Sequence, residues 1–299
     1  MMNLESNHTW EGPNPRTRAS ADEVRSGARN RLVVIAAASL VLVLIAGSAP
    51  AAEKPLKVFV LAGQSNMQGL GNPAELPKDL QGEQKKVPSF DGKQWVPLAP
   101  AQTFGPEIAF AARMSARFGE PIGIIKFFSG GTNLAKQWDP KNPGALYARM
   151  VATIKAAKEA RKIEIAGMVW MQGESDALDA AMARDYAANL EAFIKVSRKD
   201  FGGSGMAFVA GRINPPMPRF VHAEPVRKAI ETCKLPNYAF VNCDKLTKNA
   251  DNLHYNAKGL VDLGNAFADA MIKMLKAKPG STPPAEEAVT NEVENAEAK

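Results

Sequence analysis

Leu56-Lys57-Val58-Phe59-Val60-Leu61-Ala62-Gly63-Gln64-Ser65-Asn66-Met67-Gln68-Gly69 decides how the rest of the chain is read. A short apolar, β-branched run ends at Gly63, and a polar cluster follows at once. The run reads as a buried strand. Gly63 and Gly69 permit a sharp turn and a close backbone approach. Ser65 is then presented just past the carboxyl end of a strand, where open α/β sheets gather ligands. For any strand-Gly-x-Ser the alternative is a serine that simply caps the next helix, so the decision rests on the segments further along.

Working outward, the same pattern repeats. A helix opens at Gly105-Pro106-Glu107 and runs to about Phe118; Glu107 complements its dipole. A continuous apolar strand, Pro121–Phe128, ends in Ser129-Gly130-Gly131-Thr132-Asn133, where glycines can turn backbone N–H groups toward a ligand. A helix is expected at about 144–161, then a strand at Ile163–Met171 ending in Gln172-Gly173-Glu174-Ser175-Asp176. A helix at 179–198, a strand at Gly205–Gly211, a helix near 223–233, a strand at Tyr238–Cys243 and a helix at 256–276 complete the series. Residues 70–104, rich in Gly, Pro and Lys, read as a long excursion over the sheet edge. Strands alternating with helices make an α/β domain, a three-layer α/β/α sandwich. The crossover rule favours a flavodoxin-like, parallel five-stranded sheet.

The domain spans 52–276. Residues 1–31 are polar, with Arg16, Arg18, Arg25, Arg29 and Arg31, and suggest no packed structure. Residues 32–47 are an uncharged apolar run, and Ala49-Pro50-Ala51 follows. That order fits a secretory signal cleaved after Ala51, hence an exported, periplasmic or secreted, domain. An uncleaved membrane anchor, with the domain outside the cytoplasm, is the alternative for a run of this length. Residues 277–299 are rich in Pro, Ala and Glu and read as a disordered tail. The formal charge of +6 is spread along the chain, with no dense basic run interleaved with aromatics; nucleic acid is a poor partner for it. No Walker or dinucleotide fingerprint is present. The histidines and carboxylates form no zinc constellation, so no metal or cofactor is expected. Cys233 and Cys243, the two cysteines of the chain, could close a short disulfide loop in an oxidising compartment.

Four segments carry a family resemblance. Gly63-Gln64-Ser65-Asn66-Met67 after the first strand resembles the nucleophile block of the SGNH (GDSL-like) hydrolase superfamily, and more narrowly its sialate O-acetylesterase / carbohydrate esterase family 6 branch. Ser129-Gly130-Gly131-Thr132-Asn133, Trp170-Met171-Gln172-Gly173-Glu174-Ser175-Asp176 and Asp251-Asn252-Leu253-His254 resemble later blocks in the same order, over roughly residues 56–275. The resemblance implies the same fold and hydrolysis of acetyl esters on carbohydrate. Its substrate would be an acetylated polysaccharide or sialic acid.

Ester hydrolysis needs a nucleophile, a base, an acid that orients the base, and donors for the developing oxyanion. Ser65 is the candidate nucleophile. Of three histidines, His8 lies in the polar leading segment, His222 begins a helix with no acid just before it, and His254 follows Asp251 by three residues. Asp251 can hold Nδ1 and leave Nε2 for the Ser65 proton. The oxyanion donors expected are the Ser65 N–H, an N–H of Gly130 or Gly131, and a side-chain amide; the resemblance implies Gln172 for the last, at the place where the wider superfamily has an asparagine in its third block and this branch a glutamine. The resemblance places Glu174 close to the histidine or substrate, where it could share the orienting role; Asp176 reads as a helix cap. Gly-Pro-Glu also occurs in the family, which gives Glu107 a weak claim on the site. Asn133 and Trp138 are weaker candidates for substrate contact, the ring to stack on a sugar or simply to pack. Two other functions fit less well: another SGNH reaction on lipid or thioester, which would need a long apolar acyl site, and a non-catalytic glycan-binding domain, which would have lost Ser65 or His254.

Overall fold

The computed structural model describes residues 54–276. The leading segments 1–31 and 32–51, with His8, and the tail 277–299 lie outside the described residues. Among those described, no helix is long and apolar enough to cross a membrane.

Seven strands form one sheet: β1 (Leu56–Gly63), β2 (Gln84–Phe90), β3 (Trp95–Leu98), β4 (Ile122–Phe128), β5 (Ile163–Met171), β6 (Ala207–Arg212) and β7 (Tyr238–Asn242). Their order is β3-β2-β4-β1-β5-β6-β7. β4, β1, β5, β6 and β7 pair parallel throughout. This is the expected parallel sheet, with β1 at the centre and buried along nearly its whole length. The helices are α1 (Ser65–Gln68), α2 (Glu107–Phe118), α3 (Leu146–Ala160), α4 (Ala180–Ser197), α5 (Ala223–Thr232) and α6 (Ala257–Lys276).

The two faces of the sheet can be read from β5. Gly167 faces Met271 of α6, and Phe59 beside it packs edge-on against Phe110 of α2. Trp170, of opposite parity, faces Phe193 of α4 with ring centroids 4.4 Å apart, as a period of two requires. α2 and α6 touch at Gly264, where a Cβ would sit 2.3 Å from the Pro106 carbonyl oxygen. Tyr147 of α3 meets Phe193 on the other side. Both faces are therefore covered, as a parallel sheet demands.

The excursion at 70–104 differs from expectation: β2 and β3 form an antiparallel hairpin inside it. β2 extends the sheet beside β4 through Ser89 and Ile124. Asp91 makes the turn by accepting from the N–H groups of Lys93 and Gln94, both at 2.8 Å. Val87 and Phe90 are buried. Pro88, two lysines and a register shift between Gln84 and Pro88 hide the alternation by which a strand would be recognised.

Cys233 and Cys243 are both free thiols, so the disulfide is not formed. Cys243 turns inward after β7, its sulfur close under Gly211, and burial pushes its thiol up to about 12. Cys233 instead caps the end of α5.

Candidate active site

The carboxyl ends of β1, β4 and β5 meet at one place. Gln64 N–H donates to the Met171 carbonyl oxygen at 2.9 Å, and Ser129 N–H donates to that of Gly63 at 3.1 Å. The chain passes β5 so closely that a Cβ on Gly63 would sit 2.0 Å from the Met171 oxygen, at φ +153°. A side chain there would move the turn. α1 starts at once: Gln68 N–H donates back to Gln64 O at 2.8 Å and Gly69 N–H to Ser65 O at 2.8 Å. Ser65 is thus fixed on a one-turn helix at the strand's tip.

The histidine comes from the loop between β7 and α6. Asp251 accepts from the N–H groups of Leu253 and His254, at 2.9 and 3.0 Å, with one oxygen. Its other oxygen lies 2.6 Å from His254 Nδ1. Nε2 then lies 3.0 Å from Ser65 Oγ. With Nδ1 protonated toward Asp251, Nε2 is an acceptor, and the arrangement can take up the hydroxyl proton. Partial burial pushes the Asp251 carboxyl up, but the two backbone N–H groups and the ring outweigh it and hold it below its ordinary value. It stays ionised near neutrality. His222 sits at the start of α5, its N–H on Ala177 O, apart from this chain of bonds.

Gly130 lies against the serine: a methyl on it would be 3.7 Å from Ser65 Cβ and 3.5 Å from Gln68 Oε1. Gly131, at φ +67°, makes the turn beyond it. Neither the Ser65 nor the Gly130 N–H has a protein acceptor among the described residues. Both are free to bind a ligand oxygen.

Glu174 is brought to the site but not onto the ring. It is buried, and Oε1 accepts from Asn66 Nδ2 at 2.8 Å. Oε2 is buried without a partner. Desolvation raises its pKa, against the lowering effect of the Asn66 amide.

Four expectations are corrected by the geometry. Gln172 does not present its amide to Ser65. It is fully buried, and Nε2 donates to Thr132 O at 2.9 Å and Asp176 Oδ2 at 2.6 Å, while Oε1 accepts from the Tyr186 hydroxyl at 3.2 Å. Trp138 has no exposed face for a sugar. It is fully buried edge-on to Trp170, with Nε1 donating to Thr132 Oγ1 at 2.8 Å. Asn133 spends its carbonyl oxygen on the N–H of Lys136 at 2.9 Å, closing its own turn. Asp176 caps no helix. It gathers the N–H groups of Leu134 and Ala135 and so pins the loop after β4; Asp179 is the residue that caps α4.

Three residues take larger parts than their sequence positions suggested. Asn66, immediately after the serine, reaches the histidine loop: Nδ2 lies 3.3 Å from Leu253 O, and Oδ1 accepts from Tyr255 N–H at 3.2 Å. Glu107 holds Lys126 at 2.6 Å, and Lys126 Nζ donates to Gln68 O at 2.8 Å. Gln68 is three residues beyond Ser65 on α1, hence on the same side of the turn. Its side-chain amide has no protein partner among the described residues. Proximity to the serine in sequence was the available signal for Asn66 and Gln68; nothing in the sequence linked Glu107 to Lys126.

Comparison with known proteins gives the chain's family. Residues 55–273 match the family model described as carbohydrate esterase, sialic acid-specific acetylesterase. A probable carbohydrate esterase of Arabidopsis thaliana is 30% identical over 248 residues, 73% of this chain and 91% of the relative. The X-ray structure of that plant protein superposes with a TM-score of 0.66, at 27% identity, covering 74% of this chain and 99% of the other. At the level of fold alone, the structure of NanS matches with a TM-score of 0.59, 15% identity and coverage of 74% and 98%. A carbohydrate acetylesterase of Xanthomonas citri matches at 0.56, with 19% identity and coverage of 72% and 55%. The family model covers most of the chain and the plant relative aligns over most of both proteins, so this chain belongs to the carbohydrate esterase family of sialic acid-specific acetylesterase domains.

Proposed function

We propose that the protein is a serine hydrolase that removes O-acetyl groups from carbohydrate. Membership of the family makes it an esterase; the serine mechanism and the acetylated sugar are our reading. The observation that carries it is the unbroken chain Asp251 Oδ2, His254 Nδ1, His254 Nε2, Ser65 Oγ, at 2.6 and 3.0 Å. In this reading Ser65 Oγ attacks the acetyl carbonyl carbon while its proton passes to Nε2. The negative oxygen is received by the N–H groups of Ser65 and Gly130. Gln68, whose amide has no protein partner among the described residues, takes the third place expected of Gln172 once that amide is turned to bring Nε2 to where Oε1 faces Gly130. As the tetrahedral species collapses, the carbon–oxygen bond to the sugar breaks and Nε2 returns its proton to the sugar oxygen. Water, deprotonated by Nε2, then attacks the acetyl-serine; acetate leaves and the proton goes back to Ser65.

A groove of about 260 Å³ starts at Ser129 and is lined by Thr132, Lys136, Gln137, Asn142 and Leu146. Its polar side chains suit the hydroxyls of a sugar better than an acyl chain. We further propose that the domain works outside the cytoplasm, delivered by residues 32–47; amino-terminal sequencing of the mature protein tests this, and a start at residue 1 rejects cleavage.

One observation favours a second reading, hydrolysis of more lipophilic esters. Leu70, Phe128, Leu178, Met217 and Val221 are exposed, and each follows or ends a parallel strand at the site's end of the sheet. Acetate release from acetylated xylan and acetylated sialic acid, beside a p-nitrophenyl ester series of rising acyl length, separates the two. Our reading expects acetate release from a sugar, abolished by Ser65→Ala, and a steep fall beyond the acetyl ester. A preference for long acyl esters would replace it with the second.

A further inference from the structure

We propose that Asn66 is a positioning residue that sets His254 against Ser65, and that Glu174 acts on the reaction solely by holding Asn66. The inference rests on the serine reading above and concerns which residues make that pair work.

The bonds of the histidine loop fall into two sets. Asp251 binds Leu253 N–H, His254 N–H and the ring, and Asn249 N–H donates to His254 O at 2.8 Å. These are internal to the loop. They orient the ring relative to residues 249–254 and leave the distance to the serine undetermined. The second set crosses to the other side of the site. Asn66 binds the Leu253 carbonyl and the Tyr255 N–H, the two peptide groups flanking His254. Among the described residues, the hydrogen bonds joining this loop tip to the serine's turn are these two and the Ser65–His254 bond itself. Asn66 is bonded covalently to Ser65. Whatever fixes residue 66 to residues 253 and 255 fixes residue 65 to residue 254.

Glu174 completes the clasp from β5. Its Oε1 takes the Asn66 Nδ2 proton that does not point at Leu253, and so sets which end of the amide faces which partner. No hydrogen bond joins Glu174 to the ring among the described residues. A carboxylate that oriented the imidazole would need one. A neutral acceptor of the same shape would serve Asn66 as well as a charged one. Other groups also face the two carboxyl-bearing positions. His254, Asp176, Lys248, Tyr186, Tyr255 and Cys243 are near enough to Glu174 to feel its charge, and Asp251 and Ser65 face the ring.

The test is p-nitrophenyl acetate hydrolysis by the whole protein. Asn66→Ala and Glu174→Ala should each lower kcat about 10²-fold, the scale for a displacement of about 1 Å, with KM little moved. The double variant Asn66→Ala/Glu174→Ala should be no worse than Asn66→Ala. Glu174→Gln should restore most of what Glu174→Ala loses and leave the acid limb of the kcat–pH profile in place. Two results overturn the proposal: a double variant in which the losses multiply, or a Glu174→Gln enzyme as impaired as Glu174→Ala with its acid limb displaced. The second would make Glu174 a charged partner of the ring. The Gln arm stays informative if an Ala variant does not fold. Ser65→Ala is run alongside: activity surviving there would sink the serine reading itself, whatever the clasp variants do.

Discussion

Ser65 and His254 stand 189 residues apart in sequence and 3.0 Å apart at Oγ and Nε2, so each depends on the other for any effect on rate. Ser65→Ala and His254→Ala should each cut kcat by ~10⁴-fold or more, and the double variant should be scarcely worse than either, because members of such a unit fail together. Single-turnover kinetics on the three variants checks this; multiplying losses would end the shared proton-transfer role. Both residues were legible because a glycine-flanked serine after a strand and a close Asp-x-x-His carry their chemistry in a few positions. Gln172 was misread for a definite reason. Its place just past the end of β5 is visible in sequence, but the direction of its amide is set by Tyr186 and Thr132, from two other segments, together with Asp176 at the end of its own block. Gln68 follows as a prediction at the same scale. Gln68→Met keeps the length and loses the donor, so kcat should drop about 10²-fold with the acetyl ester. An unaltered kcat would take the amide out of the oxyanion site.

Among the elements, those that run continuously apolar were found to within a residue or two. β5 begins and ends where expected, because a strand covered by helices on both faces needs no alternation to be recognised. The β2–β3 hairpin escaped because β2 sets exposed Lys85 and Lys86 and half-buried Pro88 around its buried Val87 and Phe90, a mixture in which no alternation of period two stands out. The junction of α1, α2 and β4 escaped for another reason: it depends on a buried ion pair. Glu107 and Lys126 show 8% and 16% of their side chains, and between them they bind Gly105 N–H and Gln68 O. Glu107→Ala would leave the Lys126 ammonium in a dry site with one acceptor. We expect a loss of about 3 kcal/mol, the lower end for a broken buried pair. Replacing both, as Glu107→Met/Lys126→Met, should be less costly than Glu107→Ala. Urea denaturation of the two variants decides it, and a double variant no more stable than the single would show that the bonds to Gly105 and Gln68 matter more than the unpaired charge.

At the scale of the whole molecule, the alternation of strands and helices was enough to give the layers, because crossover handedness leaves few ways to connect them. What composition could not show is that the sheet's carboxyl edge holds two nearly dry acids. Glu174 is 2% exposed and Asp176 is fully buried, and desolvation raises both, against the donors that each accepts from. A buried acid with a raised folded pKa binds its proton more tightly in the folded than in the unfolded chain. Its contribution to stability is therefore complete below the unfolded value, about 4.5 for Glu174, and is lost as pH rises through the folded one. Glu174→Gln removes that dependence. The amide places two donors where Oε2 now lacks a partner, which adds a constant cost, so the informative quantity is the slope and not the sign at one pH. Urea denaturation of Glu174→Gln and the unaltered protein, from pH 4 upward, should show the variant gaining on its parent as pH increases above about 4.5. A stability difference that stays flat across that range would mean that Glu174 titrates in the fold as it does in the open chain, and that the clasp on Asn66 holds a carboxylate without discharging it.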